Sequence, residues 1–136
     1  MNQDRANAVR DLVTRVYALA QAGDFDAIRP LFSPDFAFVE ADDLAIGGTY
    51  AGFDGYLAIW SEIARRWTAV SSRLIDLTVS DRGAVGIMEL DVVSAADGQS
   101  YHLEIAEQFE VAEDLTIKRI KPFYFNTKLA NQSLAI

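Results

Sequence analysis

The stretch from Ala22 to Asp43, AGDFDAIRPLFSPDFAFVEADD, decides the fold. It opens with a helix-breaking glycine, passes into an apolar strand and closes with acidic residues. Phe36, Phe38 and Glu40 share one parity of an extended chain, so the carboxyl group of Glu40 points to the same side as the two phenyl rings. Two interpretations stay open: Glu40 is a buried acid, or the strand ends at a solvated rim.

Helical patterns lie on both sides of this stretch. From Gln3 to Ala22, apolar residues recur every three to four positions until Gly23, which predicts an amphipathic helix. Asp24 is a candidate N-cap for a short second helix. After a glycine-punctuated loop, the segment FDGYLAIWSEIARRW, 53–67, repeats aromatic and aliphatic residues at helical spacing and predicts a third helix.

The rest of the chain has the pattern of long strands. Turn signals at 81–83, 97–98 and 113–114 separate the segments. Helices first and hairpins afterwards predict an α+β fold, in which three N-terminal helices pack on a strongly curved antiparallel sheet. We expect residues 1–136 to form a single domain. The predicted strands cover 71–80, 83–94, 100–111 and 116–125.

The composition excludes several classes of function. A formal net charge of −8 argues against nucleic acid or an anionic membrane surface as a partner. The chain has no cysteine and one histidine, His102, so we expect neither a metal nor another cofactor. The first residues do not resemble a signal peptide, and no apolar run is long enough to span a bilayer. We therefore expect a cytoplasmic protein.

The hairpin signal at Asp97-Gly98 indicates where a second acid points. A tight turn there pairs Met88 with Glu107 and places the glutamate on the apolar side of the sheet. Desolvation would disfavour its charged form and leave it able to donate a hydrogen bond. Asp76, opposite Met88 in the simplest register, is a third candidate.

The order of elements resembles the cone-shaped NTF2-like fold, also called cystatin-like, and in particular its SnoaL-like and ketosteroid isomerase-like branch. Three segments carry the resemblance: AGDFDAIRPLFSPDFAFVE at 22–40, GGTYAG at 47–52 and IKPFYFNT at 120–127. The likeness runs from about Val9 to Thr127. Members of this branch include isomerases, epoxide hydrolases, polyketide cyclases, dehydratases and non-catalytic binding modules, so the fold does not determine the reaction.

The resemblance implies roles for particular residues. Glu40 lies where ketosteroid isomerases carry the aspartate that shuttles a proton. Glu107 lies where they carry a protonated aspartate of the oxyanion hole. Their first-helix tyrosine corresponds to Val16, with Tyr17 one place later, and their frequent terminal Asp corresponds to Asn126.

These observations predict a pocket for an apolar, cyclic small molecule between sheet and helices. We expect cofactor-independent proton transfer of the isomerase, cyclase or lyase type, with Glu40 as base and Glu107 and Tyr17 stabilising enolate charge. An open cavity with both glutamates in its wall would favour an enzyme. A packed interior would favour the alternative, a non-catalytic ligand-binding or dimerisation module. The expected substrate-binding residues are Phe38, Trp60, Met88, Leu90, Ile105, Phe109 and Tyr124.

The opposite parity of the strands predicts a polar outer face. His102 belongs to that face, and a role for it as a base is the less favoured interpretation. Val85, Ile87 and Val93 lie among its charges and make it too apolar to remain wholly in water. We therefore expect a homodimer that forms through this face.

Overall fold

The structure is a computed structural model that describes residues 1–136. Four α-helices and six β-strands follow one another in the chain, and a single 3₁₀ turn, Arg29–Leu31, follows the second helix. The elements are α1 Gln3–Gln21, α2 Phe25–Ile28, β1 Phe32–Glu40, β2 Gly48–Ala51, α3 Gly52–Arg66, β3 Trp67–Val79, β4 Gly83–Ser94, β5 Ser100–Val111, β6 Ile117–Tyr124 and α4 Thr127–Ser133.

All six strands form one sheet in the order β2-β1-β6-β5-β4-β3. The predicted meander is confirmed, because β3, β4 and β5 each pair antiparallel with the strand that follows. The sheet is not wholly antiparallel as expected, since β1 pairs with β6 in parallel. This parallel pairing is possible because four strands and a helix separate β1 from β6 in the chain.

Local signals determine the N-terminal helices as expected. The side chain of Asn2 caps α1 by accepting a hydrogen bond from the backbone N–H of Arg5. Helix α1 ends just before Gly23, whose φ of 71° is the left-handed conformation that glycine adopts without steric cost. Asp24 caps α2 by accepting from the N–H of Ala27.

The structure contains two elements that the sequence analysis did not predict. Strand β2 lies inside the expected loop and pairs with the end of β1, Glu40 facing Gly48. Helix α4 follows the last strand and is capped by Asn126, whose side chain accepts from the N–H of Leu129. The strand predicted for 71–80 also starts earlier, because α3 passes into extended backbone at Trp67.

The predicted register between β4 and β5 is wrong by two residues. The connection is not a two-residue turn at Asp97-Gly98 but a longer loop between Ser94 and Ser100. Glu107 therefore faces Gly86, and Met88 faces Ile105. Because a shift of two residues preserves side-chain parity, Glu107 still points to the side predicted for it.

Asp76 does not face Met88 as expected. An irregularity between Leu74 and Asp76 shifts the pairing, so that Asp76 lies opposite Ile87 and is exposed. A bulge of this kind changes which neighbours a strand residue meets. Asp76 therefore lies outside the candidate site.

The core lies between the sheet and helices α1 and α3. Along β4, buried and accessible residues alternate, as expected for a strand with one face on a core. Val13 and Val16 of α1 and Ile59 and Ile63 of α3 are buried against this face. None of the helices is at once long enough and apolar enough to cross a membrane.

Candidate functional site

A cavity of about 270 Å³ lies between the sheet and helices α1 and α3. Of the 21 residues that line it, 16 are hydrophobic. Gln21 and Val70 are exposed members of the lining, so the cavity opens near the end of α1 and the start of β3. The lining lacks Asp76 but includes every predicted catalytic and substrate-binding residue: Tyr17, Phe38, Glu40, Trp60, Met88, Leu90, Ile105, Glu107, Phe109 and Tyr124.

Glu40 is a buried acid without a protein partner. It is the last residue of β1, only 2% of the residue is exposed, and its Oε1 atom has no hydrogen-bond partner. Burial and, to a lesser extent, the charge of Glu107 raise the pKa of Glu40 from 4.5 to about 8. The strand therefore carries its carboxyl group into the cavity wall, not to a solvated rim.

Glu107 differs from Glu40 because its carboxyl group accepts a hydrogen bond from another side chain. The hydroxyl group of Tyr17 donates a hydrogen bond of 2.9 Å to Oε1 of Glu107, joining α1 to β5. Burial raises the pKa of Glu107, and the hydrogen bond from Tyr17 opposes that rise because it favours the carboxylate. The pKa of Tyr17 is raised mainly by burial and further by the charge of Glu107. Its hydroxyl group therefore keeps its proton and remains a hydrogen-bond donor.

Gly86 is the residue that the sequence analysis missed. It pairs with Glu107 across the sheet, and a Cβ atom placed on it would lie 2.2 Å from the hydroxyl oxygen of Tyr17. The φ angle of Gly86 is not positive, so steric room and not backbone conformation calls for glycine here. A lone glycine within an otherwise regular strand was the available signal, because it can mark a close approach by another group.

Aromatic side chains form much of the remaining wall. Tyr17 packs edge-on against Phe109 with ring centroids 5.3 Å apart, and Tyr56 packs edge-on against Trp60 at 6.3 Å. The indole Nε1 of Trp60 is buried without a hydrogen-bond partner. Such a wall suits the faces and edges of a flat, apolar ligand.

The cavity wall holds two carboxyl groups and no positive charge. No lysine, arginine or histidine is among the lining residues. An anionic ligand would therefore lose its hydration without gaining a counter-ion. The wall is suited to a neutral ligand, and it offers no Asp–Arg pair for orienting a water molecule.

His102 lies on the opposite face of the sheet. Its Nδ1 is 2.8 Å from Asp91, and Arg73 forms ion pairs with both Asp91 and Glu89. Ligand atoms of Glu89, His102 and Glu104 lie within 4.8 Å of one another. These groups are separated from the cavity by the sheet, so His102 cannot act on a ligand held there.

Comparison with known proteins agrees with this architecture. Residues 13–120 match the sequence profile of the SnoaL-like domain. The chain belongs to the SnoaL-like family. The matched range contains Tyr17, Glu40, Gly86 and Glu107 and ends before Tyr124.

Solved structures similar to this SnoaL-like chain support the NTF2-like fold. An NTF2-like protein of unknown function from Burkholderia pseudomallei has 15% identity over 95% of this chain and 98% of its own, with a TM-score of 0.84. TerC, co-crystallised with polyporic acid, has 15% identity over 93% and 97%, with a TM-score of 0.79. A candidate SnoaL-like polyketide cyclase from Jannaschia has 15% identity over 88% and 87%, with a TM-score of 0.75. No curated protein sequence matches the chain.

Proposed function

We propose that this SnoaL-like protein is a cofactor-independent isomerase, cyclase or lyase that transfers protons on an apolar cyclic substrate. One observation carries the proposal: Glu40 and Glu107 both lie in the wall of an open, mainly apolar cavity. Two carboxyl groups in different surroundings are the arrangement from which an acid and a base can be made.

The size and charge of the cavity support a compact, neutral substrate. A volume of about 270 Å³ is close to the lower end of the range for ligand pockets, so a molecule of a few fused rings would fill it. The absence of cations from the wall disfavours carboxylates and phosphates. Among proteins with this fold, the Jannaschia protein is described as a candidate polyketide cyclase, which is consistent with a cyclic substrate.

The proposed step moves a proton at a carbon next to a carbonyl group. One carboxylate takes the proton from carbon, and the other carboxyl group stabilises the enolate oxygen by donating a hydrogen bond. The resemblance to ketosteroid isomerases assigns the base to Glu40 and the stabilising role to Glu107 with Tyr17. Hydrolysis of an epoxide is less well supported, because the lining contains no arginine to pair with an acid and orient water.

Hydrogen–deuterium exchange at carbon tests the proposal without knowledge of the natural product. Compact cyclic ketones such as 2-tetralone and 2-decalone would be incubated with the protein in D₂O, and exchange next to the carbonyl followed by NMR. We expect exchange above the buffer rate that is lost in Glu40→Gln and Glu107→Gln. The corresponding carboxylic acids should bind less well than the ketones.

A non-catalytic module gives a different result in the same experiment. It would bind the ketones, as seen by a shift in melting temperature, without accelerating exchange in the wild type. Glu104→Gln is the matched control, since Glu104 is exposed on the outer face and should leave both measurements unchanged.

We also propose that the protein forms a homodimer through the outer face of its sheet. Ile87 and Phe123 are 40% and 50% exposed there, and neighbouring Ile75 is 54% exposed. Exposed aliphatic and aromatic groups that lie together favour burial against a second surface. A two-fold dimer would bury the same patch on both subunits.

A further inference from the structure

The two carboxyl groups of the cavity differ in one contact. Tyr17 donates a hydrogen bond to Glu107, whereas Glu40 has an oxygen with no partner. A hydrogen bond to a carboxylate stabilises the charged form, and an unpartnered carboxylate in an apolar wall has no such compensation. The geometry therefore distinguishes a carboxylate that Tyr17 stabilises from one whose charge no side chain compensates.

We infer that Gly86 and Tyr17 assign opposite roles to the two acids: Glu107 loses its proton first and acts as the base, and Glu40 keeps its proton and donates it. Gly86 is a positioning residue in this scheme, because it acts only by admitting the hydroxyl group of Tyr17. The roles are the reverse of those implied by the resemblance to ketosteroid isomerases. The inference rests on the proposed function, in that both groups act on a bound ligand.

The other groups around the cavity do not provide a competing source of charge. Helix α1 presents Tyr17, α3 presents Tyr56, β1 presents Glu40 and β6 presents Tyr124 towards the cavity that Glu107 lines. The facing residues of β3 and β4 do not titrate; they are Val70, Ser72, Met88 and Leu90. The hydroxyl group of Tyr17 is the only side-chain hydrogen-bond donor to either carboxyl group.

The electrostatic interaction between Glu107 and Glu40 favours the same order of ionisation, with Glu107 first. The charge of Glu107 raises the pKa of Glu40, as it would if Glu107 ionises first and Glu40 must then ionise beside it. Glu40 reaches a pKa of about 8 and is mostly protonated near neutral pH. A protonated Glu40 is able to donate a hydrogen bond to a carbonyl oxygen.

These roles give a balanced reaction at a ketone. The Glu107 carboxylate takes a proton from the carbon next to the carbonyl, and the C–H electron pair becomes the C=C bond of the enol. The carbonyl oxygen takes the proton of Glu40 as its π bond opens. At a simple ketone, return of both protons regenerates the substrate and exchanges its hydrogen with solvent. At a β,γ-unsaturated ketone the enol is a dienol, so Glu107 can return the proton to the γ carbon while the enol hydroxyl returns its proton to Glu40. This step moves the C=C bond into conjugation with the carbonyl group and restores the Glu107 carboxylate and the Glu40 acid.

Carbon-13 NMR of labelled glutamate side chains tests the inference in the ligand-free protein. Glu40→Gln and Glu107→Gln assign the two resonances, and each remaining acid is then titrated alone. We expect Glu107→Gln to lower the pKa of Glu40, because it removes the charge beside it. Glu40→Gln should leave the pKa of Glu107 nearly unchanged. The opposite asymmetry, or a lower pKa for Glu40 than for Glu107 in the wild type, overturns the inference.

Two further variants test Tyr17 and Gly86. Tyr17→Phe removes the hydrogen bond, and we expect the pKa of Glu107 to rise by about one unit or more. Gly86→Ala should raise it in the same direction by displacing the tyrosine hydroxyl. When Gly86→Ala is combined with Tyr17→Phe, it should raise the pKa of Glu107 little further, because the hydroxyl group that the alanine displaces is already absent. Tyr101→Phe, which removes an exposed tyrosine–aspartate hydrogen bond, is the control and should change neither acid.

Failure of this inference is distinguishable from failure of the proposed function. An unchanged pKa of Glu107 in both Tyr17→Phe and Gly86→Ala would overturn the positioning role, whatever the protein catalyses. Absence of carbon exchange with every ketone, with the expected titrations intact, would count against the proposed enzyme and leave the order of ionisation standing.

Discussion

Replacing Glu40 by glutamine should change how the stability of the protein depends on pH. The folded state holds the proton of Glu40 with a pKa of about 8, against 4.5 for an ordinary glutamate. Between these values the folded state binds more protons than the unfolded chain, so the free energy of unfolding falls as pH rises. The stabilisation from the Glu40 proton is complete below the pKa of Glu40 in the unfolded chain. It is lost as the pH rises through the pKa of Glu40 in the folded state.

The size of the effect follows from the same two values. Each pKa unit corresponds to about 1.4 kcal/mol, so the wild type should lose about 5 kcal/mol at this site from about pH 4 to about pH 9. Glutamine has nearly the same shape and no proton to lose. Burying the glutamine amide lowers the free energy of unfolding by an amount of its own, but that amount is the same at every pH. The change with pH, and not the absolute stability, therefore reports on Glu40.

Urea unfolding followed by tryptophan fluorescence measures this difference. Wild type and Glu40→Gln would be compared at several pH values, and the free energy of unfolding of the variant should rise relative to the wild type as the solution becomes alkaline. Glu104→Gln, at an exposed position, should run parallel to the wild type. If the difference for Glu40→Gln changes by less than about 1 kcal/mol over this range, Glu40 is not the buried acid described here.

Three further predictions concern the reaction, the assembly and metals. Glu107→Gln should reduce carbon exchange by about 10²- to 10⁴-fold while ketone binding, measured by thermal shift, changes little; equal loss of both would contradict a catalytic role. Sedimentation at micromolar concentration should show a dimer that Ile87→Lys converts to a monomer, since a lysine would be buried in the apolar patch; a wild-type monomer would refute this. EDTA should leave the melting temperature unchanged, because Arg73 already neutralises Glu89 beside His102; a stoichiometric metal that survives dialysis would show otherwise.

Periodicity determined most of the fold before any tertiary contact was known. Apolar residues spaced at helical intervals ended at Gly23, and turn signals divided the second half of the chain into the strands of a meander. The elements that escaped prediction, β2 and α4, are short and depend on their neighbours. Strand β2 has four residues and exists by pairing with the end of β1.

Strand parity also determined which face the acids occupy. Glu40 shares its side of β1 with Phe36 and Phe38, and Glu107 kept its predicted side although the loop between β4 and β5 was longer than expected. A slip of two residues changes the partner and preserves the face. This is why Glu40 and Glu107 both line the cavity although Met88 and Glu107 have different strand partners from those expected.

Tertiary structure alone decided which acid receives a hydrogen bond. Tyr17 and Glu107 lie 90 positions apart, and their contact depends on the angle and depth at which α1 packs on the sheet. That depth is set in part by Gly86, whose missing Cβ leaves room for the tyrosine hydroxyl. Local periodicity specifies the direction of a side chain, whereas a hydrogen bond between distant elements requires their backbones to be placed within a few tenths of an ångström, which only the packed structure provides.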